Sequence, residues 1–387
     1  MSRRAQSFEV RSSSPERVVA GFQAAFEEVP RSAAGIVFLC GALLERQEAL
    51  ARLFASKGLG IPLLLVGGTG VLSERGEIEG ASAATGLVWS GGSAGIGIID
   101  SNNADDGLDD GLQSFLTDAG ERSTCLLFVS PGGFTPRAIQ RLGRCSAGTH
   151  VFGGGAVGEP GVIAVGAAGE VVTGRAVAMS LRGFGQTRVR TTHSCRLLGP
   201  LRPISKARGS LVLELGGEPA LDVLTQFGHN LKGQPLVFTV LAQSSTNRDS
   251  PDGRPEILVR GVQGIDPHVR GLLVSDEVRE GMFMTFGIRD GQAARDDLER
   301  VTRELRRDIA GAAPLSALYV NCGGRGRSLY GRANVDTRIL RERFGEIPVA
   351  GMQSSFEIAP YGDAPSFQLY TGVMRSEERR VGKECAT

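Results

Sequence analysis

The chain has 387 residues, 41% hydrophobic and 22% charged, with a formal net charge of +1. That length suits two ordinary domains with sizeable cores, and the near-neutral balance gives no long-range pull toward nucleic acid or an anionic membrane. No apolar run approaches the roughly 20 residues of a membrane helix, so neither nucleic acid nor membrane is expected as a partner.

In chain order, the β-type run "AGIVFLC" (34–40) comes first, then a helix-period segment with Leu43, Leu44, Leu50, Leu53 and Phe54 on one face. "GIPLLLVGG" (60–68) reads as a buried strand, too short and too branched for a helix. Another apolar run, 123–129, stops at Ser130-Pro131-Gly132, and a strand near 150 runs into "GGGAVG" (153–158). "RAVAMSLRG", "QTRVRTTHSCRLLG" and, further on, "GMFMTFGIRD" alternate as antiparallel strands do. The Pro/Gly-rich stretch 197–210 reads as a link. Ala294, Leu298, Val301, Leu305 and Ile309 mark a helix ending at Gly311. "SALYVNC" (316–322) is a strand, and "EIPVAGM" (346–352) is another. Between them Val335, Ile339, Leu340 and Phe344 mark a helix with Asn334 or Asp336 as its N-cap.

Three stretches, 34–78, 123–159 and 316–358, share one order: apolar run, glycine turn, helix, strand, Gly-rich break and a glutamate, Glu77, Glu159 or Glu357. This predicts an α/β fold, two mixed α/β domains built from repeated strand–glycine turn–helix–strand units. The domains are expected at 33–200 and 215–374, joined by a linker at 201–214. The end, "RSEERRVGKEC" (375–385), resembles the direct translation of a common sequencing adapter. Residues 375–387 are therefore expected to be a disordered tail, with the true coding sequence ending near Met374.

Cys40, Cys125, Cys145, Cys195, Cys322 and Cys385 lie scattered, with no C-x-x-C pair. Reduced thiols and a cytoplasmic location are the expectation, while Ser and Arg in the polar start leave organelle import open. Only Lys57, Lys206, Lys232 and Lys383 are lysines among the 43 basic residues. With arginine so abundant, a single arginine carries an argument only in an unusual context.

"GGGAVG" fits a dinucleotide fingerprint only if a helix starts there; Glu159-Pro160-Gly161 and a further apolar run favour a turn between strands. No Walker pattern occurs. "NCGGRGRS" (321–328) is different. Cys322, Gly323, Gly324, Arg325 and Gly326 follow a strand, and successive small residues could form an amide nest for a carboxylate, with Arg325 adding charge. A plain strand-end turn with a buried cysteine fits equally. Glu77 and Glu357 could orient a ligand amine, and Gly351 and Ser354 belong to the same 351–357 turn.

No G-x-S-x-G or H-E-x-x-H occurs, and His150, His193, His229 and His268 have no acid or nucleophile at motif spacing. The expectation is no enzyme and no metal; a nucleophilic Cys322 would lack a nearby histidine base. His193 and Cys195 share one strand face, which is a weak metal site.

"FGGGA", "GRAVAMSLRG", "CRLLGPLRPI" and "LELGGEPALDVL" resemble the first half and junction of FIST-domain proteins. "ALYVNCGGRGRSLYG … IPVAGMQSSFEIAP" is similar to the C-terminal FIST domain. The resemblance covers about Gly35 to Met374. It implies a stand-alone sensory module for a small ligand, an amino acid or similar polar molecule. Cys322, Gly324, Arg325, Gly326, Gly351 and Glu357 match the family's signatures. Phe356 stands where the family often has glycine, and Gly68 where many relatives have cysteine. Some members bind haem and sense nitric oxide, for which His193 or Cys195 would be the axial ligand. A protein-interaction adaptor is the other alternative. No output domain is present in this sequence, so an unidentified signalling partner protein is expected besides the small-molecule ligand.

Overall fold

The computed structural model describes residues 4–100, 107–119, 123–135, 138–139, 150–184, 187–228, 237–244, 253–309, 314–362 and 364–377. Cys145, His229, Cys385 and residues 378–387 of the expected tail lie outside them. Among the described residues no helix is long and apolar enough to cross a membrane. Two compact units emerge: residues 1–192, 295–367 and 371–387 form the larger, and 193–294 with 368–370 the smaller.

The larger unit holds three six-stranded sheets with one common order. The first runs Ala5–Val10, Ala83–Ser90, Ser32–Cys40, Leu63–Gly67, Val162–Val165, Val171–Thr173. The second runs Ser93–Ile99, Ala176–Arg182, Thr124–Val129, His150–Gly155, Glu357–Tyr361, Ala364–Gln368. The third runs Thr187–His193, Thr371–Glu377, Ala317–Cys322, Val349–Ser354, Gly70–Ser73, Gly76–Glu79. In each, the third and fourth strands are parallel, and the neighbours on either side pair with them antiparallel. The fold is thus α/β with mixed sheets.

The last two strands of every sheet come from a hairpin that follows another sheet's parallel pair. The hairpin 70–79 leaves the first sheet for the third, 357–368 leaves the third for the second, and 162–173 leaves the second for the first. Backbone hydrogen bonds close the cycle at the strand ends: Thr69 N to Gln353 O at 2.9 Å, Ser355 N to Gly155 O at 3.1 Å, and Val157 N to Gly67 O at 2.9 Å. At this junction the amides that leave one strand end find acceptors on the next.

The sequence explains why the sheets stack. "LLLVG" (63–67) is apolar at every position and buried on both faces. One face supplies Leu64 and Val66 to a core shared with Phe38, Phe128, Phe152, Val320 and Met352 from all three sheets. The other packs Leu63 and Leu65 beneath helices Pro15–Glu27 and Gln47–Ser56. Helices Gly291–Asp308 and Val335–Phe344 cover the outer face of the third sheet through Leu298, Val301, Leu305, Ile339 and Phe344.

In the smaller unit, strands Phe283–Arg289, Arg202–Arg208, Leu211–Leu215, Gly271–Val274, Leu258–Asp266 and Val237–Ala242 pair in turn, and the last returns to the first. This antiparallel ring leaves few open edges. Met284, Phe286, Val240, Val212 and Leu272 are buried in it.

Three expectations change here. Residues 201–214, expected as a linker, hold two paired strands of the ring, which bury Ile204, Val212 and Leu215 despite the flanking Pro and Gly. The compact units do not follow a cut near residue 200, since residues 295–367 pack with the first half of the chain. Residues 375–377, expected in a disordered tail, continue strand Thr371–Glu377, with Arg375 and Ser376 opposite Leu318 and Ala317.

Candidate functional site

Strands Ala317–Cys322 and Val349–Ser354 are register-paired, Tyr319 with Gly351, Asn321 with Gln353 and Cys322 with Ser354. Alternation sends Leu318, Val320 and Met352 into the shared core, and Tyr319, Asn321 and Gln353 toward the helix-covered face. The carboxyl ends of parallel strands are where α/β sheets commonly take ligands.

Asp336, in the first turn of helix Val335–Phe344, organises this end. Its carboxylate accepts from Arg325 Nε at 2.8 Å and Nη2 at 3.2 Å, Tyr319 Oη at 2.9 Å, Tyr330 Oη at 2.7 Å and Asn321 Nδ2 at 3.3 Å. Arg325 also donates to Tyr330 Oη at 2.9 Å. Arg325 and Asp336 are 0% and 1% exposed at their side chains. Burial pushes the Asp336 carboxyl up, but the Arg325 guanidinium and the donated hydroxyls outweigh it and hold it below the usual range. Burial likewise drives the Tyr319 and Tyr330 hydroxyls well above their ordinary values, so both stay protonated donors.

Glu77 reaches this helix from the hairpin 70–79. Its carboxylate accepts from Asn334 N at 2.9 Å and Thr337 N at 3.1 Å, and Asn334 Oδ1 accepts from Glu77 N at 2.7 Å. The helix is therefore capped by Glu77 and not by Asn334 or Asp336, as the sequence suggested; Asn334 sits in the left-handed region at φ 62 and makes no side-chain cap. Burial, then the charge of Asp336, raise Glu77 to about 7. Glu357 is wholly buried, accepting from Ser354 Oγ at 2.8 Å and Thr371 Oγ1 at 2.6 Å, and burial raises it to about 7 as well. Glu159 is exposed in the turn before Val162–Val165, unlike the buried Glu77 and Glu357.

The glycine loop is also occupied from within. Gly323 N donates to Ser354 O at 2.8 Å, Gly324 N to Cys322 Sγ at 3.4 Å, Arg325 N to Cys322 O at 2.8 Å and Arg327 N to Glu79 Oε1 at 3.1 Å. The expected amide nest is thus a turn whose donors face the protein, and Arg325 is an internal counter-ion, not an open carboxylate receptor. Gly351 is required by packing: a Cβ there would collide with the Tyr319 carbonyl. Gly326 has φ +67 and lies against Gln353, whose Nε2 a Cβ would meet at 2.6 Å.

Two polar atoms at this end have no partner. Asn321 Oδ1 and Gln353 Nε2 are both buried without a hydrogen bond. The Asn321 amide orientation is fixed, because Asp336 must receive its Nδ2. An unsatisfied buried polar group costs about 1–3 kcal/mol. Sequence reading missed Asn321 and Gln353, along with Tyr319, Tyr330 and the true role of Asp336; strand alternation, which puts 319, 321, 351 and 353 on one face, was the available signal.

The model of the FIST N domain matches residues 33–218 and that of the FIST C domain residues 220–360. The chain belongs to the FIST family. FIST domains are associated with signal transduction and small-ligand sensing. The FIST C match contains every residue of the polar cluster on the strands 317–322 and 349–354, whereas Glu77 and Glu79 come from the FIST N match. Among curated proteins, the chain is 26% identical over 357 residues to the uncharacterised protein Rv0628c of Mycobacterium tuberculosis, covering 90% of this chain and 92% of that protein. It is 28% identical over 212 residues to the uncharacterised protein Mb0898c of Mycobacterium bovis, covering 53% of this chain and 54% of that one.

His193 and Cys195 stand either side of buried Ser194, at the end of one strand and the start of the next. Among the described residues no group of three or more His, Cys, Asp or Glu could hold a metal ion.

Proposed function

We propose that this protein senses a small polar ligand, a free amino acid or a close analogue, at the carboxyl ends of strands Ala317–Cys322 and Val349–Ser354. The observation that carries the reading is the pair of unpartnered atoms, Asn321 Oδ1 and Gln353 Nε2, on register-paired residues. One accepts and the other donates, which complements an ammonium and a carboxylate. Leaving both unpaired is a stability cost that ligand binding would remove. Arg325 and Asp336 fix the positions of Asn321, Tyr319 and Tyr330. The loop Gly323–Arg327 covers Gln353, and its glycines allow it to move aside.

The ligand sets no chemistry in motion: the site is a receptor, not a catalytic centre, and its output passes to a separate protein. The three sheets of common order support a further reading, that residues 5–90, 93–182 and 187–377 are copies of one strand–helix–strand–helix–strand–hairpin–strand unit, the ring being inserted into the last.

Thermal melting against free amino acids and small carboxylic acids tests the site. A ligand at about 100 times its Kd stabilises by about 2.7 kcal/mol, a readable rise in Tm. The rise should vanish in Asn321→Leu and Gln353→Leu; Gln353→Leu itself should melt no lower than the unliganded parent, since an apolar isostere removes the unpaired atom, whereas Asn321→Leu also gives up the Nδ2 bond to Asp336 and should melt lower. No shift with any compound at millimolar concentration, or a shift that survives both substitutions, would sink the proposal.

A further inference from the structure

A separate cleft of about 520 Å3 lies at the other end of the same two strands, where Leu315, Ile347 and Pro348 precede them. Three distant segments each place an arginine on it: Arg4 at the start of an edge strand, Arg75 in the turn of the hairpin 70–79, and Arg341 in the last turn of helix Val335–Phe344. All three are exposed. None makes a side-chain hydrogen bond or ion pair among the described residues, whereas Arg52, Arg190 and Arg343 of the same unit all have acidic partners. In so arginine-rich a chain one free guanidinium means little; three converging on one concavity is the unusual context.

The two carboxylates that line the cleft, Glu74 and Glu346, offset only part of the charge of the three arginines. Glu74 has both oxygens engaged, accepting from Ser7 Oγ at 2.8 Å and Val349 N at 3.1 Å, so it ties the edge strand to the entry of Val349–Ser354 as a fixed floor. Glu346 is exposed and lines the cleft without an ion pair to any of the three. Ala5, Leu315, Ile347 and Pro348 give the cleft an apolar wall.

We infer that this cleft binds a small organic polyanion. Its oxyanion oxygens would lie between the guanidinium groups of Arg4, Arg75 and Arg341, and its carbon body against Leu315 and Pro348. Guanidinium forks match carboxylate and phosphate oxygens in pairs, and the volume falls within the usual range for small-molecule sites, about 300–1,000 Å3. The site is distinct from the one at Asn321 and Gln353 and does not depend on it.

Isothermal titration of the full chain with citrate at low ionic strength, against potassium chloride at matched ionic strength, tests the inference. One saturable site is expected, weakened about tenfold by Arg4→Ala, Arg75→Ala or Arg341→Ala, and abolished by the three together. Arg75→Lys should retain most of the binding while Arg75→Glu loses it, which separates charge from folding. Gln353→Leu should bind citrate as the parent does. Citrate binding unchanged in the triple variant, or no citrate binding by the parent, overturns the proposal; inorganic phosphate binding as tightly as citrate overturns the assignment to an organic anion.

Discussion

Two strand ends of the larger unit have the same place in their sheets and opposite interiors. Strand Ser32–Cys40 ends in Cys40-Gly41, and strand Ala317–Cys322 ends in Cys322-Gly323. At the first, the Cys40 thiol donates to Ala81 O at 3.2 Å, burial pushes that thiol up, and Gly41 presses on the backbone of Ala81 and Ser82. The turn is closed and nothing charged is buried in it. At the second, the fold buries an arginine, an aspartate, a tyrosine and two amides with an unpaired atom each, with Tyr330 half-buried beside them. Equivalent topology does not require that load, which is why the proposed ligand site is placed at the second end and not at the first.

The comparison can be broken by substitution. Arg325→Met would leave Asp336 buried and unpaired, and a loss of about 3–5 kcal/mol is expected, read as a large drop in urea midpoint. Cys40→Ala at the other end should cost only about 1 kcal/mol. Similar losses at both ends would erase the distinction.

Gly41→Ala comes next. Its φ of +65 and a Cβ 2.8 Å from Ala81 O leave no soft neighbour to yield, so about 2 kcal/mol of destabilisation is expected. Gly326→Ala, at φ +67, meets side-chain ends of Glu79 and Gln353; its thermal loss should be smaller, and its main effect should be on ligand binding.

A pH series sharpens the contrast further. Glu77 and Glu357 are raised to about 7 in the folded state from 4.5. The folded chain therefore holds protons that the unfolded chain has released between those values. The stability they contribute is full below about pH 4.5 and is lost as pH rises through about 7. Thermal melts should show the parent losing stability relative to Glu77→Gln over that window; parallel curves would refute the assignment. Protonating Asp336 acts oppositely, but only below the ordinary carboxylate range, because its folded value is depressed.

The smallest effect concerns thiol access. Under native conditions iodoacetamide should label half-buried Cys195 first, then Cys322, and leave Cys40 last. Rapid modification of Cys322, at the rate of a free cysteine, would restore the nucleophile reading.

Much of the larger unit was legible. The periodic apolar residues of 294–309 and 335–344 mark true helices, and "GGGAVG" leads into strand Val162–Val165 and not a helix. The turn after Cys322 is where glycine spacing placed it. What misled was chemistry inferred from neighbours in sequence: Arg325 and the glycine amides looked available to a ligand, and Asn334 looked like a cap. The side chains of Arg325 and Asn334 have partners eleven or more residues away, Asp336 and Glu77, and the loop amides are taken by Cys322 and Ser354.

By itself the sequence determined several of the strands and helices, the turns that end them and which family the chain resembles, because periodicity and turn chemistry act over a few residues. Only the tertiary structure decided the exchange of hairpins among the sheets, the conversion of an expected linker into strands of a closed ring, and the pairing of Arg325 with Asp336. Those depend on which surface covers each buried face, and a pattern of apolar positions says that a face is covered without saying by what.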